Sequence, residues 1–209
     1  MTTMITRPTS FATMIALTFA LLTLAASAAL AAPAACSIEG QITAGPAGLS
    51  DPAPFVYTLT VTWDTGNRYA LSHFEVFLDE SNCACEDLSL ALIIPDPAGE
   101  SSSPESGPVS YASWVECNGE PSLGLDGQFL KFEPLPGEMD EPGTTGTGTF
   151  SFYSHYPPAP VAPLNLFLSD KNGQYSCQGT LTGVFPALPC DPTGTTPLTW
   201  GSLKSQYGR

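Results

Sequence analysis

The stretch Phe55-Val56-Tyr57-Thr58-Leu59-Thr60-Val61-Thr62-Trp63 places Phe55, Tyr57, Leu59, Val61 and Trp63 on one side of an extended chain, and Val56 with three threonines on the other. Successive side chains of a strand point to opposite faces, so a period of two describes a half-buried strand with a wet, threonine-rich back. Valine and threonine branch at Cβ, which suits a pleated surface better than a helix.

The same period recurs on both sides of this stretch. Ala70 to Asp79 puts Phe74, Val76 and Leu78 on one face and His73, Glu75 and Phe77 on the other. Leu88, Leu90, Leu92 and Ile94 alternate with Ser89, Ala91 and Ile93, and Val109, Tyr111, Ser113 and Val115 oppose Ser110, Ala112, Trp114 and Glu116. Runs at 128–133, 147–156, 164–168 and 175–184, with a weaker first run at 37–43, complete the set. Asp64-Thr65-Gly66-Asn67 supplies a turn, and Asp170-Lys171-Asn172-Gly173 reads as a hairpin. Residues 95–108 and 134–145 are Pro- and Ser-rich loops, and 157–163 is a further breaker stretch. No segment between the strands has helical period, which excludes a parallel α/β sheet. The expectation is an all-β protein, an antiparallel two-sheet sandwich of about nine strands, immunoglobulin-like or jelly-roll-like, with a short C-terminal amphipathic helix.

Composition agrees. The chain has 209 residues, with 19 Gly and 21 Pro, and only 12% are charged, which disfavours a helical bundle or coiled coil. Apolar residues make up 43%, enough to exclude disorder throughout. Six basic residues stand against 20 acidic ones, a net charge of −14. Such a chain does not wrap nucleic-acid phosphates and is repelled by anionic lipid.

The N-terminus reads as a bacterial export signal. Arg7 gives a positive start, residues 11–24 are uncharged and mostly apolar, and the small-residue tract 25–35 contains Ala29-Leu30-Ala31, which fits the cleavage rule. The organisation expected is a signal peptide over 1–31, a β-sandwich domain over 32–185, and a linker with an amphipathic tail over 186–209. No membrane span is expected after cleavage, because no later run approaches roughly 18 apolar residues.

Cys36, Cys83, Cys85, Cys117, Cys177 and Cys190 all lie beyond the cleavage site. An even number in an exported chain reads as three disulfides. Cys83-Ala84-Cys85 is not the C-x-x-C knuckle of a zinc ribbon, and neighbours so close rarely bond each other, so the two are expected to reach different partners, Cys117 being the best placed for one of them.

Catalytic motifs are absent: there is no G-x-S-x-G, H-E-x-x-H, Walker loop or dinucleotide fingerprint, and only two histidines, His73 and His155. No catalytic residue and no cofactor are expected, and the protein is not read as an enzyme. Calcium is the metal that the acidic loop Glu138, Asp140 and Glu141 would suit, through carboxylate oxygens. Trp114 and Tyr153 are the candidates for contact with a ligand, because Trp114 falls opposite Tyr111 and Val115. In the tail, Trp200, Leu203 and Tyr207 share one helical face beside Lys204, a candidate recognition element.

Two resemblances accompany these readings. The W-G-x-L-K-x-x-Y ending, carried by Trp200, Gly201, Leu203, Lys204 and Tyr207, resembles a terminal tag of some exported bacterial proteins. Leu71-Ser72-His73-Phe74, the cysteine cluster, and Gly124-Leu125-Asp126-Gly127 leading to Leu130-Lys131-Phe132-Glu133 are similar to secreted pherophorin-like β-sandwich surface domains. There a glycine turn leads into a G-x-K-[FW]-[DE] strand; here two residues separate Gly127 from Leu130, so the spacing departs from that pattern. The resemblance implies a structural or adhesive domain with no catalytic residues to carry over. The function expected is that of an exported, non-catalytic extracellular or cell-surface module (periplasm included), with a structural or recognition role and a surface glycan or extracellular protein as partner. The alternative is a carbohydrate- or calcium-dependent ligand-binding module.

Overall fold

The computed structural model describes residues 36–78, 83–136, 142–173, 176–188 and 190. The export signal, the acidic trio Glu138, Asp140 and Glu141, and the tail residues Trp200, Leu203, Lys204 and Tyr207 lie outside the described residues.

The strands are β1 (Ser37–Pro46), β2 (Phe55–Asp64), β3 (Leu71–Phe77), β4 (Gly99–Ser102), β5 (Val109–Glu116), β6 (Phe129–Pro134), β7 (Thr145–Ser154), β8 (Pro158–Pro160), β9 (Leu164–Asp170) and β10 (Ser176–Pro186), with one helix, α1 (Cys85–Ala91), between β3 and β4. The period-two reading of 55–63 holds: Tyr57, Leu59, Val61 and Trp63 are buried and Thr60 and Thr62 exposed. The Asp170-Lys171-Asn172-Gly173 hairpin is also present. Gly173 has φ 63° and donates its N–H to the Asp170 carbonyl at 3.0 Å, a left-handed position that glycine adopts without steric cost.

The strands do not form two antiparallel sheets. The hydrogen-bonded order is β1-β2-β7-β4-β5-β6-β3-β9-β10, and β10 returns to β1, closing a nine-stranded ring with β8 attached to β10. The closing pair is parallel, Glu39 opposite Thr180 and Ile42 opposite Gly183, while the other pairs are antiparallel. The expected two-sheet antiparallel sandwich is therefore replaced by one mixed, closed sheet. Alternation along a strand cannot separate the two architectures, because each sends every second side chain into a single dry interior. The ring closes because β10 presents glycine to the β1 backbone. A Cβ on Gly179 would collide with the Ile38 carbonyl oxygen, and Gly183, at φ 130°, sits equally tightly against the Ile42 carbonyl.

The interior is aromatic. Phe74 stacks on Phe132 at 4.7 Å between ring centroids and meets Phe150 edge-on at 4.7 Å, and Tyr57 stacks on Phe152 at 5.0 Å. Tyr57 donates its hydroxyl to the Tyr156 carbonyl at 2.9 Å, and Ser101 donates to the Tyr111 hydroxyl at 3.2 Å, so the two fully buried phenols keep hydrogen-bond partners.

Three further expectations change. Leu88 to Ile94 is not a strand: residues 85–91 form α1, which buries Leu88 and Ala91, with Leu92 buried just beyond it, and leaves Leu90 77% exposed. Glu86 and Asp87 occupy its first turn, where the helix dipole favours negative charge. Two short strands, β4 and β8, lie inside stretches that read as loop. The helix gives a direct prediction. Leu88→Ala is expected to lower stability by about 2–4 kcal/mol, whereas Leu90→Asp leaves the thermal midpoint unchanged. Equal losses at both positions in thermal melts would restore the strand.

All six cysteines pair. Cys36 joins Cys177, Cys83 joins Cys190 and Cys85 joins Cys117, with Cα separations of 5.8, 4.9 and 5.7 Å. The first bridge ties the residue before β1 to β10, beside the parallel seam. The third ties the start of α1 to the end of β5, the partner expected for one of the two clustered cysteines. Among the described residues no helix is long and apolar enough to cross a membrane.

Candidate functional site

The outer face of β3 should be wet, since Phe74 and Val76 turn inward. Instead His73 and Glu75 are buried, Glu75 completely. The cover is the β5–β6 loop, residues 117–128, which folds back across β3. Leu78 donates its N–H to the Gln128 carbonyl at 2.8 Å, and the Gln128 side-chain amide donates to the Cys83 carbonyl at 3.0 Å. Gly127, at φ 122°, leaves room for the Phe77 ring, which a Cβ would strike at 2.6 Å. Phe77 packs on Phe129 at 5.1 Å and Phe129 faces Phe167 at 6.3 Å, an apolar wall outside the barrel.

Beneath this loop four ionisable groups converge. Register sets two of them: Glu75 on β3 is the cross-strand partner of Lys131 on β6. The loop delivers the third. Glu120 bridges to Leu125 through backbone hydrogen bonds, and its carboxylate accepts from Lys131 Nζ at 2.8 Å and from the Ser122 N–H at 3.0 Å. Lys131 Nζ also lies 3.5 Å from Glu75 Oε1. His73 Nε2 is 3.7 Å from Glu75 Oε1, 4.0 Å from Glu120 Oε1 and 3.2 Å from the Ser122 hydroxyl. No donor meets either Glu75 oxygen in hydrogen-bond geometry; as the neutral acid, Glu75 can itself donate to Glu120.

The electrostatics follow from burial. Desolvation, reinforced by the neighbouring Glu120, pushes the Glu75 carboxyl up to about 8, so it is mostly neutral at pH 7. Burial and the field of Lys131 hold His73 down to about 4, a neutral imidazole. Burial opposes charge on Glu120 as well, but hydrogen bonding with Glu75, Lys131 and Ser122 outweighs it and keeps this carboxylate ionised. Lys131 loses hydration too, yet its Glu120 partner leaves the ammonium more firmly protonated than usual. The Lys131 ammonium stands 5.7 Å from the Trp114 ring centroid, a cation–π distance.

The donor atoms of His73, Glu75 and Glu120 lie within 4.8 Å of one another, a set that suits a divalent metal in chemical type. Lys131 competes for that role, because its ammonium already neutralises Glu120 and lies 3.5 Å from Glu75 Oε1. No ligand position is open to solvent, since His73, Glu75 and Glu120 are all buried.

Of the candidates named from sequence, Trp114 is half-buried on the outer face of β5, with its indole N–H directed at Glu116 Oε2 at 3.3 Å. Tyr153 is half-buried on β7, where its backbone exchanges hydrogen bonds with Ile93 at 2.8 and 2.7 Å. Trp63 belongs to the core, as its place in the apolar stripe implies. His155 is exposed and lines a cleft of about 340 Å³ beside α1, together with Asp87, Leu90, Tyr156 and Leu188. Sequence reasoning placed His73 and Glu75 on one face but missed the cluster. The available signals were Phe77 beside them on a face that should be polar, and Lys131, a rare cation in an acidic chain.

No family model and no curated protein matches the chain. Among solved structures it is similar to the second type II cohesin module from the adaptor ScaA scaffoldin of Acetivibrio cellulolyticus, a structure that includes a long C-terminal linker. The identity is 12% and the TM-score 0.23, over 84% of this chain and 98% of that one. At those values the likeness assigns neither a family nor a function.

Proposed function

We propose that the protein is an exported, non-catalytic β-barrel module that works outside the cytoplasm in a structural or recognition role. The observation that carries this reading is the pairing of all six cysteines into three disulfides. Such bridges persist in oxidising compartments and are rare where thiols are kept reduced. The strong acidic excess serves solubility in the same setting.

The face offered for recognition is the outside of β10-β1-β2-β7-β4. Cross-strand register aligns Thr180, Glu39, Thr62, Thr147 and Ser102 in one row, and all five are exposed. The next row runs through Thr182, Gln41, Thr60, Thr149 and Glu100, again all exposed. A broad surface of hydroxyl, amide and carboxylate groups, with no basic residue in either row, suits the hydroxyls of a surface glycan or the polar rim of an extracellular protein.

Two measurements test this. Fractionation should place the chain outside the cytoplasm with no alkylatable thiol before reduction; a cytosolic pool with free thiols overturns the reading. The double variant Thr60→Arg and Thr149→Arg should weaken capture on a glycan array or by extracellular extracts at least tenfold, with thermal stability unchanged. Undiminished capture by this variant removes the face from the proposal.

A further inference from the structure

The charged cluster under the β5–β6 loop contains a carboxyl to which nothing donates. Both Glu75 oxygens are inaccessible and no donor meets either in hydrogen-bond geometry, although Lys131 Nζ is only 3.5 Å from one of them. A buried polar group left in that state costs free energy, and a charged one costs more. Glu75 and Lys131 are held side by side as cross-strand partners in the β3–β6 ladder. A third group completes the arrangement: Glu120 Oε2 lies 2.8 Å from the same nitrogen and is fixed by the Ser122 N–H. An amine, a carboxyl and a carboxylate able to take the amine's proton are thus gathered in a largely buried site, with the Trp114 ring 5.7 Å from the ammonium.

We infer that Glu75 and Lys131 become joined by an intramolecular isopeptide bond, formed by self-condensation after folding, with Glu120 as the proton acceptor. The starting groups are the Lys131 ammonium, the neutral Glu75 acid and the ionised Glu120 carboxylate. One proton passes from Nζ to Glu120 Oε2. The freed lone pair attacks Glu75 Cδ and the C–N bond forms. The C–OH bond then breaks, and the hydroxyl leaves as water with the second Nζ proton. The amide nitrogen keeps the third, and Glu120 ends as the neutral acid. Charge and atoms balance, nothing is oxidised or reduced, and no co-reactant is required.

The firm protonation of Lys131 opposes the first proton transfer, and other features of the pocket favour the condensation. Burial keeps the Glu75 carboxyl neutral at physiological pH, and a neutral acid is the form that an amine can attack. Exclusion of water removes the hydration that otherwise favours the separated ions. Cross-strand register holds the reacting groups together, replacing a bimolecular encounter by an intramolecular one. His73 Nε2, 3.7 Å from Glu75 Oε1, is a neutral polar neighbour for the departing oxygen. The product removes one of the two orphaned oxygens and a buried ion pair. A bound divalent cation would satisfy the same oxygens, but it would have to displace the ammonium already seated between the carboxyl groups.

The test is the mass of the intact, exported protein, fully reduced, alkylated and denatured. The expected mass is one water below that of the mature sequence, and digestion should yield a branched peptide linking the segment with Glu75 to the segment with Lys131. Lys131→Arg keeps the charge but is not expected to condense; it should show the full mass while folding normally by circular dichroism. Glu120→Gln should fold and react slowly or not at all. A folded wild-type protein of full mass overturns the inference, as does water loss that survives in Lys131→Arg. Should Glu120→Gln fail to fold, the wild-type mass and the branched peptide still decide. Stoichiometric zinc binding by wild-type protein of full mass would also overturn it and assign the cluster to a metal.

Discussion

Replacing Cys36 and Cys177 together by serine is expected to lower the stability of the barrel by about 4–5 kcal/mol, the largest loss available from any single bridge. The bridge spans 141 residues in sequence, so the unfolded chain gains the most freedom when this one is cut. It also sits where the ring is most exposed to opening. β1 and β10 are the ends of the barrel sequence, they meet in the parallel pair, and four register positions hold them. Without the bridge, the approach of those two strands carries the part of the closure cost that the Cys83–Cys190 bridge does not remove. Calorimetry of the double variant should show the drop, and hydrogen exchange should show it first in the β1 amides. A variant that melts within a few degrees of the wild type would mean that the seam holds without covalent help.

The second large effect is expected from a single atom group. Gly179→Val should destabilise the fold by about 3 kcal/mol or more, because side-chain carbons at this position have nowhere to go. The first of them would overlap the Ile38 carbonyl oxygen, which belongs to backbone and cannot rotate away. Relief requires β10 to retreat from β1, and that sacrifices the pairing from Glu39–Thr180 to Ile42–Gly183. The matched control is Gly173→Ala, since a Cβ there meets nothing within 4 Å and the cost is only that of the left-handed backbone. If denaturant unfolding shows Gly179→Val to be no worse than Gly173→Ala, the close approach of the two strands is not as described.

Most of the strands were legible because a half-buried strand writes its two faces into alternate residues, and residues 57–63 do so without exception. Ring closure was not legible. It depends on which strands become neighbours, and the only local trace is the pair Gly179 and Gly183, two glycines in a strand that otherwise alternates. The helix α1 was misread because Leu88, Ser89, Leu90, Ala91 and Leu92 satisfy both templates: Leu88, Ala91 and Leu92 are also spaced for one helical face. Paired cysteines were legible by count, and Cys117 by its place at a strand end, while the partners of Cys36 and Cys83 depend on the closed topology. The buried cluster was half legible. His73 and Glu75 share a face by period, but Glu120 comes from a loop, and no periodic rule indicates that this loop lies over β3 rather than in solvent.

The closed ring also limits how copies of this protein can meet. Each of its nine strands has a bonded neighbour on both sides, and β8, which has one, carries Pro158 and Pro160, residues with no N–H to offer. Among the described residues, an incoming strand therefore finds almost no backbone template along which to extend the sheet. Copies of the barrel are expected to resist stacking edge to edge into fibrils, so that higher assembly is built through side chains on their faces.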